Sequence, residues 1–183
     1  MAKAKKSPRS KDSTGSDAIA LLKADHRQVE QWFEQFEKAR DDERKIKLAT
    51  NICNALKVHT SIEEEIFYPA FLAATEDKDM HHEAEVEHDG AKNLIAQIEA
   101  SSPDDDYYDA KMKVLSEMIK HHVKEEEQSG GMFAEARDSD MDLQGLGEQM
   151  AARKAGLERE IGDAPSAARK GRNGARAATS GYR

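Results

Sequence analysis

Apolar residues recur at intervals of three and four in four stretches between residues 17 and 128, and no stretch keeps up the alternation of a strand. In the first, Ile19, Leu22, Val29, Phe33 and Phe36 share one face, Ser16 and Asp17 stand as caps, and the pattern fades near residues 39–42. The second runs from Glu43 to Tyr68 with Leu48, Ile52, Leu56, Ile62 and Ile66 inward, and Pro69 is expected to break it. The third runs from Asp79 to Ala100, with Ala84, Ala91, Leu94, Ile95 and Ile98 on one side, before a turn at Ser101-Ser102-Pro103. The fourth, Asp104 to Gln128, turns Tyr108, Met112, Leu115 and Ile119 inward and stops at Ser129-Gly130-Gly131. Four amphipathic helices with short connections predict an all-α fold, an up-down-up-down antiparallel four-helix bundle.

A fifth helical pattern follows, with Asp142 as cap and Leu143, Leu146, Met150, Leu157 and Ile161 on one face; it is expected to pack outside the bundle. Gly145, Gly147 and Gly156 weaken it, each at about 1 kcal/mol in a helix interior. The predicted organisation is a disordered basic tail over 1–16, the bundle over 17–137, a C-terminal helix over 138–162 and a second disordered basic tail over 163–183. No solenoid-type repeat is visible.

Composition agrees with helices: of 183 residues 35% are charged, 38% hydrophobic and only 5% aromatic, too few aromatics for a typical all-β core. The single cysteine, Cys53, excludes an internal disulfide and a thiolate zinc knuckle, so any metal site must use histidine and carboxylate. Residues 1–12 carry +4 and residues 164–183 carry +5, which leaves −17 for residues 13–163 of a chain whose net charge is −8. A core that acidic repels phosphate and disfavours nucleic acid. There is no apolar run of the roughly 20 residues a membrane span needs, and no apolar stretch follows the basic N-terminus, so a cytoplasmic protein is expected.

The seven histidines fall at positions 26, 59, 81, 82, 88, 121 and 122. His26, His59, His88 and His122 lie on the apolar stripes, one per helix. In an antiparallel bundle they sit about 13, 13, 13 and 9 Å from the same end, at about 1.5 Å per residue. Four imidazoles therefore meet in one layer. Glu63 and Glu126, each four residues after a histidine, join it from one turn along. Such a layer in an apolar core needs a ligand, and a pair of divalent metal ions (iron, zinc or manganese) supplies one.

The motifs His59-Thr-Ser-Ile-Glu63-Glu64-Glu65-Ile-Phe-Tyr-Pro69 and His122-Val-Lys-Glu125-Glu126-Glu127, with Asp25-His26 ahead and Glu87-His88-Asp89 between, resemble the hemerythrin-like HHE cation-binding domain over about residues 17–137. The resemblance implies a four-helix bundle with a non-haem di-iron centre that binds oxygen, senses iron, oxygen or redox state, or handles nitric oxide and peroxide. Matched by position, its metal ligands are His26, His59, Glu63, His88, His122 and Glu126. The chain departs from the oxygen-carrying members in two places. The positions four either side of His88 are Ala84 and Lys92 rather than histidine, and Glu126 and Glu127 stand where a His-x4-Asp motif would end. Fewer protein ligands favour reactive or exchangeable iron over a reversible carrier.

Competing assignments follow from the same spacings. His121-x3-Glu125 repeats the motif one residue out of phase, Glu30 lies four after His26, and His81 and His82 read as solvated. Glu64, Glu65, Glu125 and Glu127 read as a solvated rim with scope for outer hydrogen bonds; Tyr68, Tyr108, Trp32 and Cys53 read as packing residues. Functionally, a module that binds or senses a small diatomic or peroxide ligand stands first. A di-iron oxidoreductase turning over peroxide or nitric oxide in stress protection is the alternative. A ferritin-like oxidase finds only one Glu-x-x-His, Glu85 to His88, and a metal-free helical adaptor predicts that His59→Ala is silent. No phosphate loop or nucleophile with a partnered base supports a kinase or hydrolase.

Overall fold

The computed structural model describes residues 16–163. The two basic tails, apart from Ser16 and Asp163, lie outside them. The long helices form where the apolar period predicts: α1 Ala18–Lys38, α2 Asp42–Ile62, then, after a π-helical turn (Glu63–Phe67) and a short α3 (Tyr68–Thr75), α4 Lys78–Glu99 and α5 Tyr108–Glu127. Two further helices follow, α6 Met132–Asp138 and α7 Leu143–Asp163. There are no strands among the described residues, and no helix of theirs is long and apolar enough to cross a membrane. The starts are capped by aspartate: Asp17 accepts from the amide of Ala20, Asp41 from that of Arg44 and Asp77 from that of Met80.

α1 packs on α2 and α5, and α4 packs on α5 and α2, closing a ring around two apolar clusters. One cluster joins the late half of α1 (Val29, Phe33, Phe36) to the early half of α2, the late half of α4 and the early half of α5. The other joins the early half of α1 (Ile19, Leu22) to the end of α2, to Phe67, Tyr68 and Phe71, to Ala84 of α4 and to α6. Consecutive long helices therefore alternate in direction, and the four inward histidines lie between the clusters.

Three features depart from expectation. Pro69 does not break the second helix; it stands at the start of α3, directly after the π-turn. That turn widens the ladder, with the amide of Tyr68 donating to the carbonyl of Glu63 five residues back, which relieves the clash a proline ring makes in a regular helix. The inserted residue also shifts the phase, so that Phe67 and Tyr68 rather than Ile66 are fully buried. The fourth helix begins at Tyr108 rather than Asp104, and α6, buried through Met132, Phe133 and Ala136, closes the end of the bundle. Gly130, at φ +74°, turns the chain from α5 toward it.

α7 lies against α1, α2 and the π-turn, outside the ring as expected. Gly147 is not a weakness there. A Cβ on it would stand 2.5 Å from the carbonyl oxygen of Ser16 and 2.8 Å from the amide nitrogen of Ala18, so glycine is what lets α7 approach the start of α1. Asp142 caps α7 through the amide of Gly145. Arg153 grips Glu65 with two hydrogen bonds, and Lys154 pairs with Asp25.

Candidate metal centre

His26, His59, Glu63, His88, His122 and Glu126, brought in by α1, α2, the π-turn, α4 and α5, are all buried, with Glu63 at 0% exposure. The imidazoles form two pairs. Nε2 of His26 lies 3.1 Å from Nε2 of His59, and Nε2 of His88 lies 3.2 Å from Nε2 of His122. Each carboxylate reaches both pairs. Oε2 of Glu63 stands 3.2 Å from Nε2 of His59 and 3.4 Å from Nε2 of His88. Glu126 places Oε2 3.4 Å from His26 Nε2 and Oε1 3.7 Å from His122 Nε2.

Every histidine turns its other nitrogen, Nδ1, to a carboxylate from a different helix. His26 meets Glu127 at 2.8 Å, His88 meets Glu64 at 2.9 Å, His122 meets Glu87 at 2.7 Å, and His59 faces Asp25 at a longer 3.6 Å. A carboxylate behind Nδ1 keeps the proton there and leaves Nε2 free to act as a ligand. The pattern repeats about an approximate two-fold: Asp25-His26 corresponds to Glu87-His88, and His59 with Glu63-Glu64 to His122 with Glu126-Glu127. Phe133 of α6 stacks on His26 with centroids 5.9 Å apart and closes one side.

The model of the hemerythrin HHE cation-binding domain family matches residues 17–129. The chain belongs to that family. A solved HHE cation-binding domain-containing protein from Mycobacterium kansasii shares the fold, with a TM-score of 0.66 at 23% identity over 79% of this chain and 89% of its own. A curated relative from Nostoc sp., named a DNA nickase, is 25% identical over 122 residues, which is 65% of this chain. The chain spans about a third (33%) of that relative's length.

The donor set fits the cation binding for which the family is named. Two groups, His26 with His59, Glu63 and Glu126, and Glu63 with His88 and His122, each offer ligand atoms within 4.8 Å of one another. Neither oxygen of Glu63 has a hydrogen-bond partner, and neither does Oε2 of Glu126. Burial pushes the carboxyl of Glu63 up to about 7, and the nearby Asp25 and Glu64 add to the rise. Glu126 is raised as well, by burial and then by Glu63. Burial first, and then the neighbouring His59 and His122, hold the His26 imidazole far below its ordinary range; burial also lowers His88. Neutral imidazoles around carboxylates starved of donors are a set completed by a cation.

Three of the outer carboxylates are held toward the ionised form. Burial works to raise Asp25, Glu64 and Glu87, but the nearby His59 and the hydrogen bond from Lys154 for Asp25, Lys92 and His88 for Glu64, and His122 for Glu87 more than offset it, and all three are lowered.

The competing residues take distinct positions. His122 faces the centre and His121 is exposed, paired with Glu125. Glu30 pairs with Arg27 and stays out of the site. His82 is exposed as expected, but His81 is half-buried and sets its ring edge-on to Tyr68, 5.9 Å away. Glu64 and Glu127 are outer partners rather than a solvated rim, while Glu65 serves α7. Tyr68 is more than packing: its hydroxyl lies 3.2 Å from His88 Nε2 and donates to Glu126 Oε1 at 3.4 Å. The π-turn accounts for it, because a five-residue step brings Tyr68 to the face Glu63 occupies. Asp25 and Glu87 carry one legible signal, a carboxylate directly before an inward histidine, although each serves a histidine on a different helix.

Proposed function

We propose that this chain is a non-haem di-iron protein that binds or senses oxygen, peroxide, nitric oxide or iron, with His26, His59, Glu63, His88, His122 and Glu126 holding the two ions. The observation that carries this reading is Glu63. It is fully buried, has no hydrogen-bond partner at either oxygen, and stands between Nε2 atoms of both histidine pairs. A bridging carboxylate needs that placement; a packing residue does not.

When bound, iron supplies an exchangeable coordination position and one-electron reactivity toward a small ligand. The chain supplies the rest. Four outer carboxylates fix the imidazole rings, and the two apolar clusters keep water away. A small apolar cavity bounded by Val29, Leu56, Ile119 and Val123 opens on the four histidines, which suits an uncharged diatomic ligand. Imidazole and carboxylate also suit zinc or manganese, and metal analysis separates these.

Tyr68 favours a second reading, turnover of peroxide or nitric oxide. Burial, reinforced by Glu63 and Glu126, raises its phenol well above the ordinary value, so it keeps its proton beside the ligand set, where the hydroxyl can hydrogen-bond a bound peroxide or nitric oxide. The reading gives the folded part no role on nucleic acid, because residues 13–163 carry −17 and most of the Nostoc relative lies outside the match. Mixing iron-loaded protein with peroxide or nitric oxide decides between binding and turnover. Uptake that stops at one ligand per site supports the binding module; sustained consumption with added reductant supports the enzyme.

A further inference from the structure

The four carboxylates behind the histidines are not equivalent. Lys154 covers Asp25, Lys92 covers Glu64, and Arg27 with Lys23 cover Glu127. Among the described residues no lysine or arginine pairs with Glu87, nor with its neighbours Glu83 and Glu125. Where the other three carboxylates have a cation, Glu87 has a further set of donors. Its Oε1 lies 3.5 Å from Nε2 of His121, and that nitrogen lies 3.1 Å from Oε1 of Glu125, while Oε2 of Glu87 holds Nδ1 of His122. The ligand atoms of Glu87, His121 and Glu125 fall within 4.8 Å of one another, and His121 is 61% exposed at its side chain. A second observation points the same way. A cleft lined by Glu83, Glu87 and Glu125 has His122 and Glu126 on its wall, and beyond it the unpartnered Oε2 of Glu126, a residue 2% exposed, lies beside His26.

We propose that Glu87, His121 and Glu125, with Glu83 beside them, form a surface site for a divalent cation and the port through which that cation reaches the buried histidines. The proposal rests on the metal-centre reading above. One imidazole with two carboxylates suits a first-row divalent ion, and three carboxylates without a lysine or arginine raise the local concentration of cations. Glu87 belongs to both sites, one oxygen to each, so an ion held by His121 stands next to the group that orients His122. Glu126 then offers an unsatisfied oxygen farther in.

The test is anaerobic loading of the metal-free full chain with cobalt(II), followed optically and by metal analysis. It compares wild type, His121→Ala with Glu125→Gln, and Glu83→Gln with Glu125→Gln, each checked for native helix content. Loading of the buried sites is expected to slow by about tenfold in both double variants at unchanged final content. A weaker extra cobalt per chain, bound by the wild type, is expected to disappear in the His121 variant. Unchanged loading rates, or an extra cobalt that survives in that variant, overturn the proposal. His59→Ala separates the two readings: if it leaves buried cobalt unaffected, the metal centre is wrong, whereas the surface site is judged by the other variants alone.

Discussion

Nε2 of His26 stands 3.1 Å from Nε2 of His59, while Nδ1 of each ring is turned to a carboxylate. The two nitrogens are close enough that a metal ion bound here would be held by both rings. His88 and His122 repeat the relationship at 3.2 Å, and Glu63 and Glu126 span the two.

Glu63 makes its own contribution to how the metal-free protein responds to pH. Its carboxyl is raised by burial from 4.5 in a free chain to about 7 in the fold, so between those values the folded state keeps a proton that the unfolded chain has released. The stability this confers is full below about pH 4.5 and is lost as pH rises to about 7. Melting curves of metal-free wild type and Glu63→Gln across that window should show the wild type falling relative to the variant. Parallel curves would contradict it.

Asp25 links α7 to the centre, taking Lys154 on one oxygen and facing His59 Nδ1 with the other. Asp25→Asn removes the charge that orients His59 and should weaken metal binding by about 10- to 100-fold with helix content unchanged. Lys154→Met should shift affinity the same way by less, because Asp25 keeps its charge. Isothermal titration with cobalt(II) measures both.

Tyr68→Phe should retain the metal content of the wild type, since the six buried histidines and glutamates proposed as ligands remain. What it removes is the phenol proton beside His88 and Glu126. The rate at which iron-loaded protein reacts with hydrogen peroxide, followed in a stopped-flow spectrometer, should fall by about 100-fold if that proton is used in turnover. An unchanged rate returns Tyr68 to a packing role and favours the binding module.

Gly147→Ala tests the docking of α7. The added methyl meets backbone at Ser16, Asp17 and Ala18, which cannot swing aside as a side chain can. A loss of about 1–3 kcal/mol is expected, measured by urea unfolding, where the same change on an open helix face would stabilise.

Much of the centre was legible in the sequence because its four histidines obey the same period as the core around them. Their common level follows from helix lengths alone. Glu63 and Glu126 were legible for the same reason, as one-turn neighbours on the same face. The outer shell was not, because Asp25 serves His59, Glu64 serves His88, Glu87 serves His122 and Glu127 serves His26, and no spacing within one helix encodes a partner on another. Pro69 was misread because a π-turn, which hydrophobic period does not announce, absorbs it and brings Tyr68 into the site. α6 escaped because seven residues after a glycine pair are too few to establish a period. Gly147 read as a helix breaker because its reason lies on α1.

The central claim is a two-metal site on the buried histidines and glutamates. The most direct measurement is iron per chain after anaerobic loading with ferrous ion, for wild type, His59→Ala and Glu63→Ala, with optical spectra before and after air. The account predicts about two irons per wild-type chain, new near-ultraviolet and visible bands on oxidation, and loss of both in the variants. Wild type that holds no more iron than the variants would contradict it and leave the histidine layer a packing feature of a helical adaptor.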